Sequence, residues 1–384
     1  MNKRLNNELE ESQFEEFISK LLSSGDQTEI LDKLGELEVP DPYRVRLKVL
    51  YSPSGFIDTF ERISAVSNIK RIGELSHSYL YSTQVGTKRK RQLSIKFTIL
   101  TPDISEKIGI ILAISKREPW EKALLKFFKN NYPQVVPVYL SQSEMINSVK
   151  RLREEVNHSI TVKSFSAKEP IESIKNKKRK SIREWTEESF SRILQEVRER
   201  NQMFTSIDLE FYPKIDEVTH VRPRAGCKIR KTAEVEISGN FTIIYDSIVK
   251  HIANVGLNKL RFFSGRGLRE SSFKQRPLAI NYHIDVFEEI ERVRKFVSVM
   301  KKYPHSMYSV EHGNPYAHLK ITDIKDGSSF NVYALPPKNI AVIPGLKASE
   351  AAFERIFHYI FDEFKEGDVV NYDDEGKSLE SVIQ

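Results

Sequence analysis

The sequence predicts an α+β (mixed α/β) protein with two domains, each a mixed sheet with helices packed on it, preceded by a short acidic helical pair. Three observations lead to this fold class. The 384 residues suffice for two or three domains of roughly 100–200 residues each. Hydrophobic residues make up 39% of the chain, which is enough to form cores over most of its length. Apolar segments of strand length also alternate with segments of helical spacing.

The N-terminal segment, residues 1–40, has the pattern of two helices. Apolar side chains recur at helical spacing over 7–24 and again from Gln27 to Leu37. The Pro40-Asp41-Pro42 triplet then ends the pair. Because the segment has a net charge of −6, we expect an acidic arm that docks on the body of the protein or on a sister subunit.

Residues 41–156 are predicted to form the first domain. After the strand Val45–Tyr51, a helix is expected from Ser52 to Ser67, with serine and proline at its start. Two alternating stretches within Ser78–Leu100 predict a β-hairpin with a basic tip. The remaining pattern predicts a strand, a helix, a strand and a helix, at Ile108–Ser115, Trp120–Phe128, Val135–Leu140 and Ser143–Val156.

A basic linker, residues 157–183, is expected to separate the first domain from the second, residues 184–366, and an acidic tail follows at 367–384. The second domain is predicted to begin with the helix Glu184–Met203 and to end with the core helix Ser349–Phe364. Between them the pattern predicts two helices, Ile243–Val255 and Asp285–Lys301, and the strands Phe204–Tyr212, Ala233–Ile237, Leu257–Phe263, Leu278–Ile284, Ala317–Ile324, Ser329–Leu335 and Ile340–Ile343. The halves share a similar element order but no residue-level repeat.

Charge is strongly segregated along the chain. The formal net charge is +7, but the two acidic ends, residues 1–40 and 344–384, each contribute −6. The body between residues 41 and 343 therefore carries a net charge of +19. A field of that size attracts polyanions, so nucleic acid is the first predicted partner. An even spread of the same cations would serve solubility alone.

Three clusters of cations are the predicted phosphate contacts. They lie at the hairpin tip, on the first loop of the second domain and on a later glycine-rich loop, and comprise Lys88, Arg89, Lys90 and Arg91; Arg222, Arg224, Lys228 and Arg230; and Arg261, Arg266, Arg269 and Arg276. Arginine guanidinium groups can donate paired hydrogen bonds to phosphate oxygens, while Gly265 and Gly267 allow the backbone to come close to a phosphate. Phosphate contacts carry no base information, so neither DNA nor RNA is specifically predicted. Phe262 and Phe263 are expected to lie in the core or to stack on an unpaired base.

A phosphodiesterase or a metal-dependent nuclease is the alternative function. His318 and Lys320 stand at the spacing of a histidine nucleophile and a phosphate-holding lysine. Glu311, Asp323 and Lys325 loosely fit the two carboxylates and the lysine of a Mg²⁺-dependent nuclease. The favoured interpretation of the pattern around His318 is a strand with one solvated face. A second acidic set on two predicted strands comprises Asp208, Glu210, Glu234 and Glu236. Mg²⁺ is expected only for the nuclease, and otherwise no cofactor or metal.

Several other classes of function are not indicated. The chain has no G-x-x-x-x-G-K-[ST] phosphate loop, and its single cysteine, Cys227, with scattered histidines, gives no zinc-binding spacing. No apolar run approaches the ~20 residues of a membrane span, and the N-terminus has no secretory pattern. We therefore expect a cytoplasmic protein with no membrane partner.

The combined prediction is a nucleic-acid-binding protein that contacts phosphates through its basic body, as a non-catalytic subunit of a larger system. A protein–protein scaffold is the third hypothesis. In that case the acidic N-terminal helices recruit a protein partner or mediate self-association, while the basic body only neutralises them. Nucleic-acid binding with a steep salt dependence distinguishes the first hypothesis from the third.

Overall fold

The computed structural model of the protein describes residues 2–73, 76–86, 90–156, 160–168, 181–200, 202–211, 225–269 and 275–372. It confirms the α+β class with two mixed domains. Unit 1 comprises Met1–Phe165, Glu184–Ile193 and Ser206–Ala253, and unit 2 comprises Ser166–Arg183, Leu194–Thr205 and Asn254–Gln384. Within the described ranges, every helix is too short or too polar to cross a membrane.

The part of the chain up to residue 156 alternates helices and strands. In order, these are α1 (Asn2–Ser24), α2 (Gln27–Glu36), β1 (Arg44–Tyr51), α3 (Phe56–Ala65), β2 (Ile69–Arg71), β3 (Ser78–Val85), β4 (Arg91–Leu100), β5 (Ile108–Ser115), α4 (Arg117–Pro119), a π-helical segment (Trp120–Leu125), α5 (Lys126–Asn130), β6 (Val136–Pro137) and α6 (Gln142–Val156).

The remaining part is similarly mixed. Its elements are β7 (Thr161–Lys168), β8 (Ser181–Ser189), α7 (Phe190–Glu199), β9 (Met203–Phe211), β10 (Ala225–Arg230), β11 (Glu234–Ser238), α8 (Phe241–Ile244), a second π-helical segment (Tyr245–Val249), α9 (Lys250–Phe263), β12 (Leu278–Asn281), α10 (Ile290–Met300), β13 (Ser306–His312), β14 (Ala317–Asp323), β15 (Ser329–Leu335), β16 (Asn339–Pro344), α11 (Glu350–Glu363) and β17 (Asp368–Asn371).

The first sheet has eleven strands in the order β2-β3-β4-β5-β1-β11-β10-β9-β7-β8, with β6 also paired to β1. Neighbours from β2 through β9 are antiparallel. One of its faces is covered by α3 and by the helical run that follows β5. There Phe60 packs against Phe97 of β4 and Phe127 of α5, with ring centroids 5.9 and 6.2 Å apart. These rings, with Trp120 and Ile111, form a core of unit 1.

The acidic helices α1 and α2 belong to unit 1. Ile18, Leu22 and Ile30 are buried, as the helical spacing predicts. The side chain of Gln27 exchanges two hydrogen bonds with the backbone of Thr101, at 3.2 and 3.0 Å. The buried apolar side chains described for these helices therefore pack within unit 1.

The second sheet has six strands in the order β13-β14-β15-β16-β12-β17, all antiparallel. Side chains from alternate positions of these strands form one core with α10 and α11. Phe353 of α11 contacts both Phe330 of β15 and Phe263 of α9, with ring centroids 5.0 and 5.6 Å apart. One face of the sheet is thus covered by helices.

The two units repeat one topology. In unit 1, strands β2-β3-β4-β5-β1 lie side by side, and α3 separates β1 from β2 in the chain. In unit 2, strands β13-β14-β15-β16-β12 lie in the same order, and α10 separates β12 from β13. Each set is followed by a helical run, which begins with α4 in unit 1 and is α11 in unit 2. The similar element order in the sequence therefore corresponds to a β-α-β-β-β-β-α repeat.

The division of the chain differs from the predicted domain boundaries. Residues 206–253, expected in the second domain, lie in unit 1, because β11 pairs with β1 and joins β10 and β9 to the first sheet. The expected linker 157–183 contains β7 and the start of β8. Long-range strand pairing decides these assignments, and a local pattern does not report it.

Four predicted elements differ in type or start. Leu257–Phe263 is the end of helix α9, which continues through Gly256, and Phe262 and Phe263 pack in the core of unit 2. The expected helix from Glu184 begins only at Phe190, after strand β8. Helix α10 begins at Ile290 instead of near Asp285, with no side-chain cap. The helix expected from Ser52 starts at Phe56, and the Ser52 hydroxyl instead donates to Thr59 Oγ1 at 2.9 Å.

A close approach between β5 and α3 makes Gly109 sensitive to substitution. A Cβ at this position would overlap the Phe56 ring. We expect Gly109→Ala to lower the free energy of unfolding of unit 1 by about 1–3 kcal/mol through overpacking. Urea unfolding followed by tryptophan fluorescence measures this change, since Trp120 and Trp185 both lie in unit 1.

The matched control is Gly313→Ala in unit 2, where an added Cβ meets nothing within 4 Å. It should leave the tryptophan transition in place. An unchanged midpoint in Gly109→Ala would contradict the packing described for Phe56.

His251 should make unit 1 sensitive to acid. Burial and the charge of Arg151 lower the pKa of His251 from 6.5 to about 4. Between pH 6.5 and about 4, His251 therefore binds a proton in the unfolded chain but stays neutral in the folded chain. The free energy of unfolding falls as the pH drops through this range. We expect this group to account for a loss of about 3 kcal/mol. Urea midpoints at neutral pH and near pH 4 should differ less in His251→Leu than in the native protein, and an equal difference would refute the assignment.

Candidate nucleic-acid interface

The basic hairpin tip is only partly described. Lys88 and Arg89 lie outside the described residues. Lys90 is exposed, whereas Arg91 forms an ion pair with Glu118. Glu118 also accepts a hydrogen bond from Lys122 at 2.8 Å. Of the two described cations in this cluster, Lys90 is therefore the better candidate for a phosphate.

The second predicted cluster is largely engaged in ion pairs. Arg222 and Arg224 lie outside the described residues, and Lys228 and Arg230 belong to strand β10 instead of a loop. The Arg230 guanidinium lies 3.5 Å from Glu234 and 3.8 Å from a carboxylate oxygen of Glu236. In the antiparallel register, Lys228 lies opposite both Asp208 and Glu236.

These residues belong to a ladder of alternating charges across β1, β11, β10 and β9. Lys48 Nζ lies 3.2 Å from Glu234 Oε1, and Arg46 forms an ion pair with Glu236. Burial opposes ionisation of Glu234, but the charges of Lys48 and Arg230 hold its pKa below the ordinary value. The carboxylates and the cations of the ladder therefore stabilise one another, and the charges of the cations are already neutralised.

The structure thus places the second acidic set of the sequence on β9 and β11, the two strands that flank β10. Asp208 lies opposite Lys228, and burial raises its pKa against the opposing charge of that lysine. Across the described ranges, no three side chains of His, Cys, Asp or Glu are grouped so that they could hold a metal ion. The arrangement of these strands indicates charge pairing between carboxylates and cations.

Arg266, in the third cluster, is a structural residue. It is 6% exposed, and its guanidinium donates to Phe262 O at 2.6 Å, Arg276 O at 3.3 Å and Asn371 Oδ1 at 2.8 Å. Burial and the nearby charge of Arg276 lower the pKa of Arg266 to about 10. Its predicted contact with phosphate is therefore not supported, because its donors are used within unit 2.

Three arginines of the same cluster remain open to solvent. Arg261 lies on the last turn of α9, and Arg269 and Arg276 lie on the loop after it; all three are exposed. None forms an ion pair within the described part of the chain. Phe262 and Phe263 are buried, so the rings beside these arginines belong to the core.

Hydrogen bonds hold the described ends of this loop in place. Leu268 N donates to Gly345 O at 3.0 Å, and Arg269 N donates to Leu346 O at 3.1 Å. The contact of Arg266 with the carbonyl of Arg276 fixes the returning chain. We name Arg261, Arg269 and Arg276 the arginine triad. The loop backbone is attached to the rest of unit 2 at several points, and the three side chains are exposed without an ion pair among the described residues.

The residues proposed for catalysis are divided between two faces of the second sheet. Glu311 and Lys320 form an exposed ion pair, with 3.5 Å between Oε1 and Nζ. Hydrogen bonding from Ser309 and the charge of Lys320 lower the pKa of Glu311. His318, on the same face, pairs with Asn331 at 3.0 Å and stacks on Tyr333.

Asp323 lies in the interior and cannot join that exposed group. It is 0% exposed and forms an ion pair with Arg355 of α11. Its Oδ1 also accepts a hydrogen bond from the backbone N–H of Lys325 at 2.8 Å, and the lysine side chain itself is exposed. The solvated-face interpretation therefore fits His318 and Lys320. The nuclease set of Glu311, Asp323 and Lys325 is not assembled.

No protein-family model matches the chain, and no curated protein is significantly similar to it.

The Asp323–Arg355 ion pair provides a test of whether Asp323 has a structural or a catalytic function. We expect Asp323→Leu to destabilise unit 2 by roughly 3–5 kcal/mol, because it leaves a largely buried guanidinium without its carboxylate. Amide hydrogen exchange in β14 and β15 measures the loss. Adding Arg355→Met should restore most of the protection, whereas native protection in Asp323→Leu alone would contradict a structural ion pair.

Proposed function

We propose that the protein binds nucleic acid through the phosphate backbone, as a non-catalytic subunit of a larger system, and that the arginine triad is its principal contact. The observation that carries this proposal is the contrast between the triad and the other described arginines and lysines of the predicted clusters. Arg91 and Arg230 are engaged by carboxylates, and Arg266 is used internally. Among the described residues of these clusters, the triad alone combines three exposed guanidinium groups with a hydrogen-bonded loop backbone.

Physical chemistry favours this use of the triad. Guanidinium groups donate in a planar fork that matches phosphate oxygens. Fixed loop ends reduce the conformational entropy that is lost on binding. The net charge of +19 between residues 41 and 343 adds a long-range attraction for polyanions. Exposed Lys90 on unit 1 is a second candidate contact.

The non-catalytic part of the proposal is supported by the second sheet. The five candidate catalytic residues lie partly on the exposed face and partly in the core, and Asp323 is already paired with Arg355. Support for a scaffold is weaker, since the buried apolar side chains described for α1 and α2 pack within unit 1. The exposed carboxylates described on these helices, among them Glu16, Glu29 and Asp32, are the candidates for contact with a protein partner.

A cytoplasmic location is also part of the proposal. The single cysteine, Cys227, lies buried in β10, and burial raises the pKa of its thiol. A buried, protonated thiol is chemically inert and is compatible with a reducing compartment.

Charge removal at the triad tests the proposed function. We expect Arg261→Ala/Arg269→Ala/Arg276→Ala to weaken binding of both single- and double-stranded oligonucleotides. The slope of log K against log salt concentration should become less negative by roughly 2–3, because three phosphate contacts are lost. Fluorescence anisotropy at several salt concentrations measures affinity and slope together.

The matched control removes the same charge from another surface of unit 2. Arg292, Lys301 and Lys302 are exposed cations on and just after α10. Their replacement by alanine should change the salt slope much less. Equal effects of the two triple variants would show a general charge effect and contradict a site at the triad.

A further inference from the structure

The exposed face of the second sheet carries a group of planar side chains that the phosphate proposal does not use. We name His318, Lys320, Asn331 and Tyr333 the outer platform; they lie on the adjacent strands β14 and β15. Alternation places Leu319 and Ile321 in the core and the platform residues on the opposite face. His318, Asn331 and Tyr333 are half-buried, and Lys320 is exposed.

The rings of the platform are held in fixed orientations. His318 and Tyr333 are directly opposite in the register of β14 and β15, and their rings stack with centroids 4.2 Å apart at 13°. The His318 Nε2 atom pairs with Asn331 Oδ1 at 3.0 Å, which fixes the ring further. Such side chains lose little conformational freedom when a planar ligand stacks on them.

A second pair of rings extends this row towards the edge of the sheet. His312 on β13 lies opposite His318 in the register. Its ring stacks on Tyr316 with centroids 4.2 Å apart. The rings of His312, Tyr316, His318 and Tyr333 thus lie in or beside one row across β13, β14 and β15.

We propose that the outer platform binds an unpaired nucleobase, so that the nucleic acid recognised by this protein contains a single-stranded segment. This inference rests on the proposed function and names the class of ligand. Aromatic rings on an exposed sheet face stack on unpaired bases, and amide groups bind base edges. Bases within a duplex are already stacked on their neighbours and do not present a free face.

The repeated topology argues against an apolar helix as the occupant. In unit 1 the corresponding strands are β3 and β4; α1 contacts β4, and its buried Ile18 lines the same cavity as Leu80 of β3. In unit 2 the platform presents rings, an amide and a lysine at these strands. These side chains favour a planar polar ligand over an aliphatic one.

The loop that carries Arg269 is hydrogen-bonded to the sheet that carries the platform. Ser329, at the start of β15, accepts a hydrogen bond from Gly345 N at 2.7 Å, and Gly345 O accepts one from Leu268 N beside Arg269. Tyr333 lies four residues further along β15, which corresponds to roughly 13 Å of strand. The loop that carries Arg269 is therefore tied to the start of β15, the strand that carries Tyr333.

The test compares a single-stranded oligothymidylate with a duplex of the same length. We expect Tyr333→Leu to weaken binding of the single strand by about 5- to 150-fold, the range for loss of one stacked base. Tyr333→Phe keeps the ring and should bind nearly as the native protein does. Duplex affinity and the salt slope should stay unchanged, because the Lys320–Glu311 pair leaves the platform with little net charge.

Tyr308→Leu is the matched control. Tyr308 is 46% exposed on the edge strand β13 and points to the other face of the sheet. It should bind both oligonucleotides as the native protein does. His318→Ala provides a second platform variant and should show the same selective loss as Tyr333→Leu.

The outcomes separate the two proposals. Native single-strand affinity in Tyr333→Leu, or an equal loss of single-strand and duplex binding, would overturn the platform. If the triad variant still lost binding in that case, the phosphate proposal would stand. If the triad variant bound normally while Tyr333→Leu lost only single-strand binding, the platform would stand and the triad would fail.

Discussion

Alternation along β14 and β15 is the constraint on which the second unit and its proposed site depend. Leu319, Ile321, Phe330 and Val332 are at most 2% exposed and pack in the core that α10 and α11 cover. With a side-chain period of two, His318, Lys320 and Tyr333 must then point the other way. A shift of one residue in the register would bury Lys320 and expose Leu319. Packing of the core therefore determines which side chains of β14 and β15 lie on the exposed face.

Arg266 fixes the position of the loop that follows α9. Its guanidinium joins the end of α9, the returning chain at Arg276 and Asn371 of β17. A buried cation is tolerated there because three acceptors satisfy its donors and the Phe262 ring lies 4.5 Å from it. In unit 1, by contrast, Lys48 and Arg230 are balanced by Glu234. Buried cations thus build the structure in both units, and the exposed arginines of the triad are the ones that we propose for binding.

Local patterns predicted α11 and the strands β14 to β16 from the sequence, because each has a clear period and a turn or cap beside it. They did not predict that β9 to β11 join the first sheet, since strand pairing depends on residues far apart in the chain. Leu257–Phe263 has an apolar pattern that suits a strand or a helix, and packing decides for the helix. At the site, the sequence located the arginine loop but could not distinguish buried Arg266 from exposed Arg269. Tyr333 was overlooked because its alternation with core residues was the only local signal.

Photocrosslinking is the most direct test of the proposal that a single-stranded ligand stacks a base on the platform while the triad contacts phosphates. A single-stranded oligonucleotide with photoreactive bases would be crosslinked to the full-length protein, and the modified peptides identified by mass spectrometry. Base crosslinks on His318 or Tyr333, with protection of the peptides around Arg269 and Arg276, are the predicted result. Crosslinks confined to unit 1 would contradict it.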